Sequence, residues 1–295
     1  MPITGIGLAF TLVGAVSWAA FDALRKRLAR EVSPVYLGLL LPLAQAPLLA
    51  LWAATREPIG LPMACLTPLV TSALLNALAL VLFLDALRLS PLSLMIPLLS
   101  FTPVLSTTLA WLFRGQAPGA AQYAGAGLVV LGAVVLGRSG GAWKGLATTL
   151  REPGVRRMGL VALLWSCTSV LDQTAVSLGA GAWYAPAVTA AVALLLLLWT
   201  LLRGQGRSFL QALRPLAAHP LLLGTALVIG AAALAVQIEA FRWAPIGFIE
   251  VVKRGIGMAS AVLLGWFLFG EPLNRWKGLA VLLLTLGVAL VVGLR

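Results

Sequence analysis

Long uninterrupted apolar blocks limit what this chain can fold into. Residues 191–199, 259–269 and 279–292 contain almost no polar side chain, and similar blocks recur from one end of the sequence to the other. A helix that crosses the hydrocarbon core of a bilayer needs about 20 such residues in a row. Backbone N–H and C=O groups find no partner in lipid, so only helices and closed barrels can span it. The barrel signature is strict polar/apolar alternation over about ten residues, and the sequence lacks it. Composition points the same way. The chain is 61% hydrophobic and 10% charged, whereas a soluble domain carries about 25% charged residues. The expected fold class is an all-α integral membrane protein.

Arg, Pro and Gly divide the apolar blocks into ten expected spans, at residues 5–25, 34–54, 66–87, 92–113, 119–137, 158–178, 184–202, 220–241, 246–269 and 278–294. Met1 to Thr4 has no basic leader, and the block that follows is too long for a signal-peptide core, so it reads as a retained first span. A linker rich in Gly and Arg, residues 138–157, separates a first half (1–137) from a second (158–295), each with five spans. In the connection 203–219, Phe209, Leu210, Leu213 and Leu216 recur at helical spacing, which predicts a short helix lying in the membrane interface.

The net charge of +12 raises the question of a nucleic-acid partner. The basic residues lie between apolar blocks and form no patch, which argues against one. They read as topology signals. Fifteen of the 21 Lys and Arg residues fall in connections on the side opposite the termini, which by the positive-inside rule places both termini outside. Cys65 and Cys167 lie in separate apolar segments without metal-ligand spacing, and His219 stands alone before Pro220. Neither metal nor cofactor is expected. No phosphate-binding Walker sequence is present, so transport by this chain would draw on exchange or an ion gradient.

The two halves resemble each other. Leu84-Asp-Ala-Leu-Arg-Leu-Ser-Pro91 aligns with Ile238-Glu-Ala-Phe-Arg-Trp-Ala-Pro245, so that Asp85 matches Glu239, Arg88 matches Arg242 and Pro91 matches Pro245. Trp111-Leu-Phe-Arg-Gly-Gln116 aligns with Trp266-Phe-Leu-Phe-Gly-Glu271, and Trp18 with Trp165. An odd number of spans per half inverts the second copy in the membrane. Inverted repeats are a transporter architecture, with the substrate site between the halves near mid-bilayer.

Asp85-Ala-Leu-Arg-Leu-Ser-Pro91, Thr102-Pro103, Trp111 and Gly115-Gln116, with Gly270-Glu271 closing the second copy, resemble the EamA-type repeat of the drug/metabolite transporter superfamily. The resemblance implies ten helices in two inverted five-helix repeats. It also implies both termini in the cytoplasm, opposite to the charge argument. The superfamily includes exporters of amino acids and other metabolites, sugar-nucleotide carriers and sugar-phosphate/phosphate exchangers.

An ionisable group at mid-bilayer costs about 2.5–3.5 kcal/mol on insertion scales, so each one inside a span calls for a partner or a cavity. The densest cluster is Glu250, Lys253 and Arg254 in the ninth span. Spacings of three and four residues put both cations on the helical side that carries Glu250. Glu250 neutralises only one of them, so the cluster by itself keeps about one positive charge, suited to a carboxylate or phosphate. Its bland reading is a brace within the bundle. Val252-Lys253-Arg254 is also similar to the Lys-Arg pair with which the sugar-phosphate exchangers grip phosphate.

Asp172 and Gln173 interrupt the sixth span. Counted from the matched tryptophans, Asp172 takes the place of Arg25, so the two are candidates to face each other. Asp172 would meet a substrate ammonium, carry a coupled proton or bond a neighbouring helix. Trp18 and Trp165 lie deep enough to flank a central cavity, and Asn76 and Gln237 are polar points in the third and eighth spans. Asp22 with Lys26, Asp85 with Arg88 and Glu239 with Arg242 read as structural pairs at helix ends.

The reading that follows is a secondary, alternating-access transporter of a small anionic or zwitterionic metabolite (an organic phosphate, carboxylate or amino acid) in the cytoplasmic membrane. Its substrate site would draw on Lys253, Arg254, Glu250, Asp172, Gln173, Trp18, Trp165, Arg25 and Asn76. A flippase for an anionic or lipid-linked head group is the alternative, and a membrane enzyme on lipid-linked substrates comes third. The expected partners are the metabolite and membrane lipids. Gly125-Ala-Gly127 and Gly255-Ile-Gly257 permit close helix packing, either within the chain or in a homodimer.

Overall fold

A computed structural model describes residues 4–28, 32–89, 98–139, 152–212, 219–269 and 274–293. Among these residues there are helices and turns and no strand. The first half contributes α1 (Gly5–Leu28), α2 (Pro34–Ala54), a single 3₁₀ turn (Met63–Cys65), α3 (Leu66–Leu89), α4 (Thr102–Arg114) and α5 (Ala120–Ser139). The second contributes α6 (Pro153–Ser177), α7 (Tyr184–Leu202), the short α8 (Gly206–Ala212), α9 (Pro220–Trp243), α10 (Ile246–Phe269) and α11 (Arg275–Gly293). Eight of these helices are long and apolar enough to cross a membrane. The apolar side chains left exposed, such as Leu51, Leu202 and Leu221, are those a lipid-facing bundle would present.

The helices pack in reciprocal pairs. The first helix of each half lies along the third of the other, α1 on α9 and α6 on α3. The two second helices, α2 and α7, pack together, as do the two last, α5 and α11. α10 sits centrally and touches α1, α4, α5, α9 and α11. One end of the bundle gathers the start of α1, the α2–α3 and α6–α7 turns, and the ends of α4 and α9. It is called the terminal side below.

Two expected boundaries are corrected. The fourth span, expected to run unbroken over 92–113, is interrupted by a turn at Ser100–Phe101, and its regular helix begins at Thr102. Proline has no N–H, so Pro103 cannot serve the carbonyl four residues before it. That carbonyl, Leu99 O, instead accepts a 2.7 Å hydrogen bond from Thr102 Oγ1. The linker is also shorter than 138–157, because α5 runs on to Ser139 and α6 starts at Pro153. Proline at the first turn of α6 costs nothing there, since that N–H has no helical partner. The linker's middle, the motif ending Gly270-Glu271, and Pro91 and Pro97 lie outside the described residues.

A short helix, α8, stands in the connection 203–219, with Phe209 buried edge-on against Tyr36 of α2 at 5.7 Å. Leu213 and Leu216 lie outside the described residues. Gly125 and Gly255 both serve packing inside the chain. A Cβ at Gly125 would collide with Val291 and the Gly287 carbonyl on α11, and one at Gly255 with Val288. Gly127 and Gly257 face open space.

Candidate functional site

α10 carries its charges at the middle of the bundle. The Glu250 side chain is fully buried, and Lys253 Nζ donates to its Oε1 at 2.5 Å. Ser169 of α6 donates to the same oxygen at 3.1 Å. Lys253 also reaches Gln237 Oε1 on α9 at 3.4 Å and stands 5.9 Å from the centre of the Trp18 ring on α1. Trp18, Gln237 and Lys253 line a small recess together with Thr11, Gly14 and Ile249. Among the described residues, three buried polar atoms around this cluster have no hydrogen-bond partner: Glu250 Oε2, Trp18 Nε1 and Arg254 Nε. No acid lies within ion-pair distance of Arg254 among the described residues.

Asp172 of α6 forms a second cluster. Its Oδ1 accepts hydrogen bonds from Ser72 of α3 at 2.5 Å and from the Tyr184 hydroxyl of α7 at 2.7 Å. Asn76, one turn along α3, donates to Ser72 Oγ at 3.2 Å. Lys253 and Glu250 lie within electrostatic reach of Asp172. No cation comes within ion-pair distance of it among the described residues.

Arg25 closes the constellation on the side opposite the termini. Its guanidinium lies 5.4 Å from the Phe21 ring centre and 5.8 Å from that of Phe83, and Phe83 packs at 5.4 Å on Trp165. Its hydrogen-bonded partner is Asp22 at 2.7 Å. The expected meeting of Arg25 with Asp172 is therefore not made: Arg25 pairs with Asp22 on its own helix, and Asp172 is bonded by Ser72 of the first half and Tyr184 of the second. Asp22 likewise pairs three residues on with Arg25. The side chains of Lys26 and Arg88 lie outside the described residues. Glu239 and Arg242 pair as expected, at 3.6 Å.

Gln173 does different work from its neighbour. Its Nε2 donates to the Phe241 and Ala244 carbonyls at 3.2 and 3.0 Å, and its Oε1 accepts from Gln116 Nε2 at 2.8 Å. Phe241 O is the carbonyl that Pro245, lacking an N–H, leaves unserved. Gln173 seals the break between α9 and α10 with an amide from α6.

Around that break, polar contacts link the two halves on the terminal side. Glu57, in the α2–α3 turn, accepts from the Ala182 N–H and faces Arg242 at 3.7 Å. Trp183 Nε1 donates to the Glu57 carbonyl at 3.2 Å, and Arg56 faces Glu239 at 3.9 Å. Ser72 and Ser169 were not among the expected site residues. Their signal was present in the spacing: Trp165, Ser169 and Asp172 recur every three to four residues along one face of α6, and Ser72 precedes Asn76 by four.

Residues 5–138 match the EamA-like transporter family. A crystal structure of a protein 19% identical in sequence covers 98% of this chain and is itself covered over 96% of its length, with a TM-score of 0.73. That likeness shows the same fold across both halves. No curated protein matches the chain by sequence.

Proposed function

We propose that this chain, whose residues 5–138 match the EamA-like transporter family, is a multi-pass membrane transporter of the drug/metabolite type and, within that class, a secondary carrier for a small zwitterion such as an amino acid. The observation that carries the reading is the charge arrangement at the centre. Glu250 and Lys253 satisfy each other at 2.5 Å. Among the described residues at this centre, that leaves one acid without a cation, Asp172, and one cation without an acid, Arg254. The positive charge kept by the ninth-span cluster alone is offset once Asp172 is counted with it. A bare charge inside the bilayer is costly, so a ligand bearing both an ammonium and a carboxylate offsets both at once. Arg254 offers the planar fork that suits a carboxylate. Asp172, already oriented by Ser72 and Tyr184, offers an acceptor to an ammonium.

Two further features support transport by alternating access between two inverted five-helix repeats. The helices pair reciprocally between the halves, as such repeats require. The terminal side is shut by contacts that cross between the halves, while the central groups remain partly accessible: the Lys253 side chain is 17% exposed and that of Arg25 29%. The membrane in question is the cytoplasmic membrane.

Thermal unfolding of detergent-purified protein against amino acids, simple carboxylates, simple amines and sugar phosphates tests the reading. A ligand at a hundred times its Kd stabilises the folded state by about 2.7 kcal/mol. Amino acids should raise the melting temperature more than either half-ligand. Arg254→Ala should abolish that response, and Asp172→Asn should reduce the protein's preference for amino acids over plain carboxylates. An equal or larger response to sugar phosphates, indifferent to Asp172→Asn, would overturn the zwitterion in favour of an organic anion.

A further inference from the structure

A second polar recess lies on the terminal side, away from the central cluster. It offers about 180 Å³ and is lined by Arg114, Gln116, Gln173, Val176, Ser177, Phe241 and Arg242. Two guanidinium groups from different halves share it. Arg114 ends α4, where Gly115 turns the chain in a left-handed conformation and fixes the side chain over α6. It donates to Thr174 Oγ1 at 2.8 Å and Ser177 Oγ at 3.3 Å, both neutral. Its Nε is buried without a partner among the described residues, as is Gln116 Oε1. No acid lies within ion-pair distance of Arg114 among the described residues. Arg242 is shared between Glu57 at 3.7 Å and Glu239 at 3.6 Å, both longer than a hydrogen bond, so its donors are incompletely used. Among the described residues, Arg56, Arg114 and Arg242 face only Glu57 and Glu239, which leaves the rim of this recess with one positive charge in excess.

We propose that this recess binds an oxyanion, a carboxylate or a phosphate, between Arg114 and Arg242. The excess charge and the unused guanidinium donors are what such a group satisfies, and Gln116 Oε1 accepts a donor carried on the same ligand. The site lies behind the sealed α9–α10 break, with Gln173 in its wall, so it is a way-station for the anionic end of the substrate on the terminal side. That role rests on the transport reading. The oxyanion site itself does not.

The test is chemical labelling of Ser177→Cys in the full-length protein, with Gly60→Cys, exposed on the same side, as the control thiol. Reaction with an anionic methanethiosulfonate reagent bearing a sulfonate is compared with its cationic ammonium counterpart. Field focusing in a charged cleft predicts an anion preference at Ser177→Cys on the order of tenfold above that at Gly60→Cys. Adding Arg114→Gln should remove it. Protection is then measured at matched ionic strength with inorganic phosphate, with acetate, and with phosphatidylglycerol against phosphatidylcholine in mixed micelles. Protection by phosphate or acetate identifies a soluble oxyanion ligand and supports the way-station. Protection by phosphatidylglycerol alone assigns the site to a lipid phosphate and overturns the way-station. No anion preference, or one that survives Arg114→Gln, overturns the site. Because the assay reads the recess alone, either negative result leaves the central zwitterion site standing.

Discussion

Lys253 Nζ lies 2.5 Å from Glu250 Oε1, one helical turn back along α10, and the Glu250 side chain is wholly buried. This pair sets how the centre of the bundle responds to substitution. Breaking a buried pair by removing one partner leaves an uncompensated charge and costs about 3–5 kcal/mol, whereas replacing both partners by neutral groups is often tolerated. Glu250→Gln should therefore lower the thermal stability of the purified protein markedly. The double variant Glu250→Gln with Lys253→Met should recover most of the loss. A single variant as stable as the double would mean that Lys253 finds another anion, and that the pair is not the neutral unit on which the zwitterion reading depends.

Gln173 carries a different expectation from its neighbour Asp172. It holds the Phe241 and Ala244 carbonyls and accepts from Gln116. Gln173→Leu leaves these groups buried without partners, at about 1–3 kcal/mol for each one stranded. The melting temperature should fall, and it should fall whether or not ligand is present. A variant that keeps its stability but loses only its ligand response would make Gln173 a substrate contact and dismiss its role as the seal of the α9–α10 break.

The sequence made the class of fold legible because lipid leaves so few options: block length decides helix, and the number of blocks decides spans. It also pointed to Glu250, Lys253, Arg254 and Asp172, since a charge inside an apolar run is conspicuous by cost alone. It did not reveal how those charges are shared out. Spacing placed Lys253 and Arg254 equally near Glu250, and only the packing of α10 against α1, α6 and α9 shows that Lys253 takes the carboxylate. Hydroxyls were the main omission. A hydroxyl in a transmembrane helix can satisfy itself on the preceding turn, as Thr200 does on Leu196 O, so the helical spacing of Ser72 with Asn76 and of Ser169 with Asp172 marks a shared face and not the carboxylates these serines bond. The break in the fourth span was legible only as Pro103. The turn that precedes it depends on the Thr102 hydroxyl.

Gly125 and Gly127 separate packing from composition in one experiment. A side chain at Gly125 would collide with Val291 and the Gly287 carbonyl, while at Gly127 it would meet nothing within 4 Å. Gly125→Val should destabilise the protein by about 1–3 kcal/mol through overpacking at the α5–α11 contact. Gly127→Val should lie within about 0.5 kcal/mol of the parent, as surface substitutions do. Thermal unfolding of the two variants side by side reads the difference. Equal losses would place a second helix against Gly127, as in a dimer through this face.

Glu57 joins the halves on the terminal side. It takes the Ala182 N–H, faces Arg242 and offers its carbonyl to Trp183 Nε1. The backbone carbonyl survives substitution, so Glu57→Ala removes only the carboxylate contacts. A hydrogen bond to a charged group contributes about 1.5–3 kcal/mol, enough to change the local opening of the turn at 178–183 by roughly tenfold or more. Hydrogen–deuterium exchange should therefore quicken in that turn and at the end of α9, and stay unchanged along α5 and α11. Unchanged exchange at 178–183 would mean that the terminal side is held shut by helix packing alone. A local increase would identify the Glu57 carboxylate as a contact that must be released each time this side opens. It would also predict faster labelling of Ser177→Cys in the same variant, because Arg242 is then left with Glu239 as its one acid among the described residues.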